Sequence, residues 1–315
     1  MSSKHLVDPE LLPIIEQMPA LQLSRDTLAA TREWMKATPA VPIPPDVVVE
    51  ERRIPGPTGA PDVRVIVMKP KSAGSGRPGI LHIHGGGYVM GTADLTAPAD
   101  VAYVMHVGAV VVSVDYRLAP ETPHPGPVED CYAGLAWLYQ QAGELGVDRK
   151  RIAVTGESAG GGLAAATVLL ARDRKQIPVA FQHLVFPMLD DRTTSQRDPS
   201  SFVGEFVWTR EANVFGWTAL LGRAPGGADV SPYAAPARME DLTGLPPTFL
   251  STGAIDLFLE EDLDYARRLV RAGVPTELHV YPGAPHGFMM VESAYVTKVY
   301  ARDSIAALRR GLGVA

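Results

Sequence analysis

The chain has 315 residues, 46% of them apolar and 20% charged, which suits one large or two small compact domains and excludes disorder, collagen and coiled coil. Its 29 basic and 35 acidic side chains, net charge -6, give no electrostatic reason to expect nucleic acid or an anionic membrane as partner, so small uncharged substrates fit better. The single cysteine, Cys131, allows no intrachain disulfide; Met1 to Ala20 lacks a signal-peptide pattern and nowhere do eighteen apolar residues run together, so a cytoplasmic protein without a membrane span is expected.

From Pro9 to Ala37, apolar positions such as Leu11, Leu12, Ile15, Leu28 and Met35 recur at helical spacing, predicting two short amphipathic helices with Ser24 as an N-cap. The proline-rich stretch Pro39 to Pro45 ends that character and reads as a linker. Strands are then expected at Val47 to Arg53 and Val63 to Met68, half exposed because of Glu50, Arg52 and Arg64, and at Ile80 to Ile83 and Ala109 to Val114, buried on both faces. Alternation follows: helix Val128 to Gln141, strand Ile152 to Val154, helix Ala159 to Arg172, strand Val179 to Phe186. It resumes with strand Thr248 to Ser251, helix Leu259 to Arg271, strand Glu277 to Tyr281 and a closing helix from Tyr295 to Leu312. This pattern predicts a mostly parallel α/β sheet. Between Met188 and Pro246 the alternation stops, and Phe202, Phe206, Trp208, Phe215 and Trp217 stand among glycines, prolines and polar residues. Such an insertion emerges near a strand end, where ligands bind in open α/β sheets, and reads as a cap over a site. The chain thus divides into cap helices and linker over 1–45, core over 46–187, cap insertion over 188–246, and core again over 247–315.

Strand Ile152 to Val154 runs into Gly156-Glu157-Ser158-Ala159-Gly160 and then a helical stretch, a context that puts Ser158 on a sharp, strained elbow. His84-Gly85-Gly86-Gly87 ends the strand Ile80 to Ile83, and consecutive glycines let backbone N–H groups converge on an oxyanion. The alternative, a metal pair of His82 and His84, lacks a third ligand at convincing spacing. A serine nucleophile needs a base and the base an orienting acid; Asp256 and His286 both follow strand ends, as Ser158 does, in the chain order Ser, Asp, His. Glu260, Glu261 and Asp262 lie close to the acid position but already belong to the first turn of a helix, where acids suit the dipole. His106 falls in a helical stretch, and His183 and His279 within strands.

Several motifs resemble those of the bacterial hormone-sensitive lipase family, the family IV esterases of the α/β-hydrolase fold. They are His84-Gly85-Gly86-Gly87-Tyr88, Asp115-Tyr116-Arg117-Leu118-Ala119-Pro120-Glu121, Gly156-Glu157-Ser158-Ala159-Gly160, Ser231-Pro232, Gly244-Leu245-Pro246-Pro247 and Tyr281-Pro282-Gly283-Ala284-Pro285-His286-Gly287-Phe288. The resemblance implies an eight-stranded, mostly parallel sheet flanked by helices and roofed by a helical cap. It implies Ser158, Asp256 and His286 as nucleophile, acid and base, with the N–H groups of Gly85, Gly86 and Ala159 as the oxyanion hole. Tyr88, Trp208, Phe215 and Phe288 are candidates for substrate contact. Members commonly carry Asp or Thr where this chain has Glu157, and Asp-Pro-Leu where it reads Asp256-Leu257-Phe258, so a supporting hydrogen bond and the stiffness of the acid loop are the expected differences.

The activity implied is hydrolysis of short- to medium-chain esters, with a small-molecule ester as partner and neither metal nor cofactor required. Hydrolysis of amides or peptides by the same triad is a second reading. A non-catalytic receptor is a third, since plant gibberellin receptors resemble the same family; those have lost the catalytic histidine, whereas His286 stands here in an intact motif. A homodimer is left open.

Overall fold

The structure, a computed structural model, describes residues 2–18, 21–36 and 41–315. The start of the predicted linker Pro39 to Pro45, the break at Pro19 and the expected helix end at Ala37 lie outside the described residues. Among the described residues eight strands follow one another: β1 (Val47–Ile54), β2 (Val63–Pro70), β3 (Arg77–Ile83), β4 (Val110–Asp115), β5 (Val147–Glu157), β6 (Phe181–Val185), β7 (Thr248–Gly253) and β8 (Thr276–Tyr281). They form one sheet in the order β1-β2-β4-β3-β5-β6-β7-β8. β2 pairs antiparallel with β1 and β4, and from β4 to β8 every pairing is parallel. This is the α/β-hydrolase sheet.

Apolar residues on both faces of the central strands require cover on both. On one side Ile80, Val111, Ala153 and Phe249 pack with α3 (Ala97–Val107) and α9 (Tyr295–Gly311) through Tyr103, Val104, Ala307 and Leu308. On the other, Leu81, Val112, Val154 and Leu250 pack with α4 (Gly126–Gln140), which the short α5 (Ala142–Leu145) follows, and with α6 (Ala159–Arg174) and α8 (Leu259–Arg271), through Leu135, Leu163, Val168 and Leu269. β1 alternates in exposure as its charges predict, but β2 does not: Val65, Ile66, Val67 and Met68 are all buried. The expectation of a half-exposed second strand fails because β2 lies inside the sheet, between β1 and β4, with α3 against one face and α4 against the other. β5 starts at Val147, five residues before the predicted Ile152, where Val147 pairs with Arg77 across a register shift.

The N-terminal segment contributes α1 (Leu12–Ile15) and α2 (Leu28–Lys36). Ser24 and Thr27 cap α2 reciprocally, each hydroxyl accepting from the other's backbone N–H at 3.2 and 2.9 Å. Arg32 ties α2 to the core, donating to the carbonyls of Val89 at 2.7 Å and Ala119 at 2.9 Å and pairing with Glu121. The segment from Met188 to Pro246 carries one α-helix among its described residues, α7 (Arg210–Leu221), capped by the Thr209 hydroxyl and ended by Gly222 in the left-handed region.

Asp130 on α4 is fully buried and accepts from the backbone N–H, Nε and Nη2 of Arg117, between 2.7 and 3.0 Å. It thereby fixes the loop that leaves β4. Asp130→Ala removes a buried acceptor from three donors and should lower the unfolding free energy by about 2–4 kcal/mol. Urea unfolding of the variant beside wild type measures this, and a change below about 0.5 kcal/mol, the size of an ordinary surface substitution, would contradict it.

Candidate active site

β3 and β5 are neighbours, with Ile83 opposite Gly156, so the loops leaving their C-terminal ends meet. The strand order switches here, since the chain passes from β3 to one side for β4 and returns to the other for β5, and ligands bind at such a point. The approach is closer than side chains tolerate. A Cβ on Gly160 would lie 2.0 Å from the Ile83 carbonyl oxygen, and one on Gly85 would lie 3.0 Å from that of Glu157.

Ser158 occupies the turn between β5 and α6 with φ 57° and ψ −124°, a conformation that strains any residue with a Cβ and aims its side chain away from both elements. The turn is held from behind: the Ser158 N–H donates to Val185 at 2.9 Å, and the Ser158 carbonyl accepts from Gly162 and Met188 at 3.0 and 2.9 Å. His286, in the loop after β8, places Nε2 2.8 Å from Ser158 Oγ and Nδ1 2.8 Å from Asp256 Oδ2. Asp256, in the loop after β7, also accepts the Phe258 N–H at 2.9 Å, so both its oxygens are engaged. Phe258 and Phe186 stand edge-on to the imidazole at 5.1 and 4.7 Å, restricting its rotation. Proton transfer from Ser158 to His286 requires this geometry, and a carboxylate on Nδ1 fixes the tautomer that leaves Nε2 free to accept.

The N–H groups of Gly85, Gly86 and Ala159 donate to no other group among the described residues, and Ala159 opens α6, where the helix dipole favours negative charge. Glu260 and Glu261, the nearest alternatives to Asp256, are engaged elsewhere. Glu260 accepts the Ser200 N–H at 2.9 Å. Glu261 is buried, accepts the N–H groups of Leu189 and Asp190 and the Thr193 hydroxyl, and its carboxyl is pushed up well above the usual range by burial and by Asp190. Burial likewise raises Asp262.

The four aromatic candidates divide. Trp208 lies against Gly87 and 6.3 Å from the His286 ring, a wall of the site. Phe215 on α7 is half-buried against the main core. Tyr88 is fully buried, donates its hydroxyl to Met188 at 2.8 Å and packs on Trp217, so its expected substrate contact gives way to holding the β6 loop. Phe288 is enclosed by Tyr281, Tyr300 and Phe186 and offers no face to a substrate either. In both, a ring large enough to line a pocket serves the core beneath it.

His82 and His84 do not converge. His84 donates Nδ1–H to the Gly85 carbonyl at 2.8 Å and stacks on Tyr116 at 4.2 Å, and its burial lowers its proton affinity. His82 instead lies between two carboxylates, Asp100 and Glu157, at 2.5 and 2.7 Å. The sequence reading missed Asp100 and this role of His82. The available signal was a polar residue at a position buried on both faces of an apolar strand, which must find a partner.

An apolar cavity of about 730 Å³ opens beside these loops, lined by Ile15, Leu21 and Trp34 of the N-terminal segment, Phe206 and Val207 of the insertion, and Met90. The Met90 N–H donates to the Gly86 carbonyl at 3.1 Å, and the Val207 side chain lies 3.8 Å from where a Cβ on Gly287 would stand, so the cavity borders both the glycine loop and the loop bearing His286.

Residues 80–290 match the model of an α/β-hydrolase fold family. The carboxylesterase NlhH of Mycobacterium tuberculosis is 34% identical, with 97% of this chain and 96% of the relative covered. Among solved structures, a bacterial heroin esterase is 43% identical with a TM-score of 0.89, covering 98% of this chain and 99% of its own. Esterase LipW from Mycobacterium marinum is 33% identical with a TM-score of 0.86, covering 98% of this chain and 96% of its own. The chain belongs to the α/β-hydrolase fold family, in its hormone-sensitive-lipase-like branch, family IV.

Proposed function

We propose that this carboxylic ester hydrolase cleaves esters of short to medium acyl chains, with Ser158 as nucleophile, His286 as base and then acid, and Asp256 as the group that orients the imidazole. The observation that carries the reading is the unbroken path from Ser158 Oγ through both nitrogens of His286 to Asp256, 2.8 Å at each step. Ser158 Oγ attacks the acyl carbon as its proton passes to His286 Nε2, and the carbonyl oxygen takes the negative charge. The N–H groups of Gly85, Gly86 and Ala159 receive that charge where it develops. The imidazolium then protonates the leaving alcohol, breaking the ester bond. Water, deprotonated by His286, attacks the acyl-enzyme, and the acid leaves as the proton returns to Ser158.

The cavity supports the acyl range. Its roof comes from the N-terminal helices and from the insertion at Phe206 and Val207, so an acyl group gains about 0.8 kcal/mol per buried CH₂ until it meets that roof. Arg32 holds α2 over the site through Val89 and Ala119, one residue from Met90 in the cavity wall.

Ser158→Ala and His286→Ala should each lower kcat by about 10⁴ to 10⁶ with the fold retained. Asp256→Asn should cost about 10³ to 10⁴, whereas Glu260→Gln should stay within a few-fold. Steady-state hydrolysis of p-nitrophenyl butyrate measures all four, and wild-type turnover in Ser158→Ala would overturn the assignment. Across p-nitrophenyl esters, kcat/KM should peak at about C4 to C8, and Arg32→Ala should flatten that peak by loosening the roof. A profile still rising at palmitate, or an unchanged peak in Arg32→Ala, would contradict the roof while leaving the triad intact.

A further inference from the structure

Four polar side chains cross the middle of the sheet in register: Ser113 on β4, His82 on β3, Thr155 on β5 and His183 on β6. All four are fully buried, on the face covered by α3 and α9. His183 is satisfied by neutral partners, Thr155 Oγ1 at 2.8 Å and Ser304 Oγ of α9 at 3.0 Å. His82 is different, because each ring nitrogen faces a carboxylate oxygen: Nδ1 faces Asp100 Oδ1 at 2.5 Å, Nε2 faces Glu157 Oε1 at 2.7 Å. A neutral imidazole has one donor, and its other nitrogen would turn a lone pair toward a carboxylate; the imidazolium donates to both. Asp100 is anchored in turn by the hydroxyls of Thr96 and Ser113, at 2.7 and 2.6 Å.

We propose that His82 is a positioning residue for the hydrolysis: as an imidazolium anchored on Asp100 of α3, it clamps the Glu157 carboxylate and so holds in place the residue directly before Ser158. The inference rests on the reading of Ser158 as nucleophile. Glu157 is well placed to transmit the clamp. Its backbone ends β5, its carbonyl oxygen packs against Gly85, and the next residue carries the strained φ of 57°. A loosened Glu157 side chain would let the elbow relax and move Oγ relative to His286 and the glycine loop, and small misplacements of a reacting atom cost large factors in rate.

The electrostatics agree. Burial alone would lower the proton affinity of His82, but Glu157 and Asp100 outweigh it and raise the imidazole to about 10. The other groups packed around it are neutral across that range. His183 is pushed down to about 3 by burial and by the His82 charge, His84 is lowered by burial, and burial lifts the phenols of Tyr103 on α3 and Tyr300 on α9. The sign follows: a raised histidine keeps the clamp closed below the folded value and loses it as pH climbs through about 10. Removing one carboxylate brings that loss to lower pH.

Nitrogen-15 NMR of histidine-labelled wild type at about pH 8, above the ordinary imidazole range, should show one ring of the eight doubly protonated, and that signal should vanish in His82→Gln. Absence of such a ring in wild type, or its persistence in the variant, would overturn the proposal. Glu157→Gln should lower kcat by about 10- to 100-fold with KM within about twofold, and should move the alkaline fall of kcat to lower pH. Glu157→Asp, which keeps the charge but shortens the reach, should lie between. Wild-type kcat and an unmoved alkaline limb in Glu157→Gln would overturn the clamp. Failure of the triad reading is distinguishable: it appears as turnover retained in Ser158→Ala, whereas failure of the clamp leaves Ser158→Ala inactive.

Discussion

The contact on which the site depends is between two backbones, the turn leaving β3 and the turn leaving β5. Because β3 and β5 pair directly, Ile83 lies opposite Gly156 and the two turns begin at one level. Gly160 then passes so near the Ile83 carbonyl that no side chain fits, and Gly85 rests on the Glu157 carbonyl. Ser158 and the N–H groups proposed to face the developing oxyanion are therefore placed by sheet pairing, before any side chain orients. β7 and β8 follow on the far side of β6, and their C-terminal loops bring Asp256 and His286 to the same edge. Parallel strands put all these loops at one end of the sheet, which is why Gly85, Ser158, Asp256 and His286 can meet.

Behind that edge the two faces of the sheet differ. The face toward α4, α6 and α8 is apolar across β4, β3 and β5, at Val112, Leu81 and Val154, whereas the face toward α3 and α9 carries Ser113, His82, Thr155 and His183 in a row. Buried polar groups cost free energy unless paired, and this row meets the requirement by reaching out of the sheet to Asp100 and Ser304. Its two histidines carry opposite consequences. His183 has only hydroxyl partners and stays neutral, while His82 has two carboxylates and stays charged. The charged one is joined to Glu157, the residue before Ser158.

The central strands, the elbow and the chain order Ser, Asp, His were all legible in the sequence, because each rests on a local pattern: apolar runs too short for helices, glycines at a turn, functional groups just past strand ends. Glu157 stood out as a departure from the family pattern, and its carboxylate meets His82. What the sequence could not supply was pairing across long separations. β2 was expected to be half exposed because Arg64 suggests an edge, yet it lies inside the sheet, and Arg64 reaches Asp94 and Asp115 from there. Tyr88 and Phe288, next to Gly87 and Gly287, were expected to contact substrate, but their rings turn into the core. Asp100 escaped notice because a single acid in the first turn of a helix is ordinarily a dipole partner, and only tertiary packing brings it to His82.

Activation of Ser158 by His286 is tested most directly by covalent labelling, which needs no choice of substrate. A fluorophosphonate reacts with a serine whose proton is drawn off by a base and whose product is held by an oxyanion hole, and with ordinary serines hardly at all. Intact-mass measurement followed by peptide mapping should find wild type carrying one phosphonyl group, on Ser158, with labelling abolished in Ser158→Ala and strongly slowed in His286→Ala. Wild type left unlabelled, or labelling at Ser158 that proceeds at the wild-type rate in His286→Ala, would contradict the account.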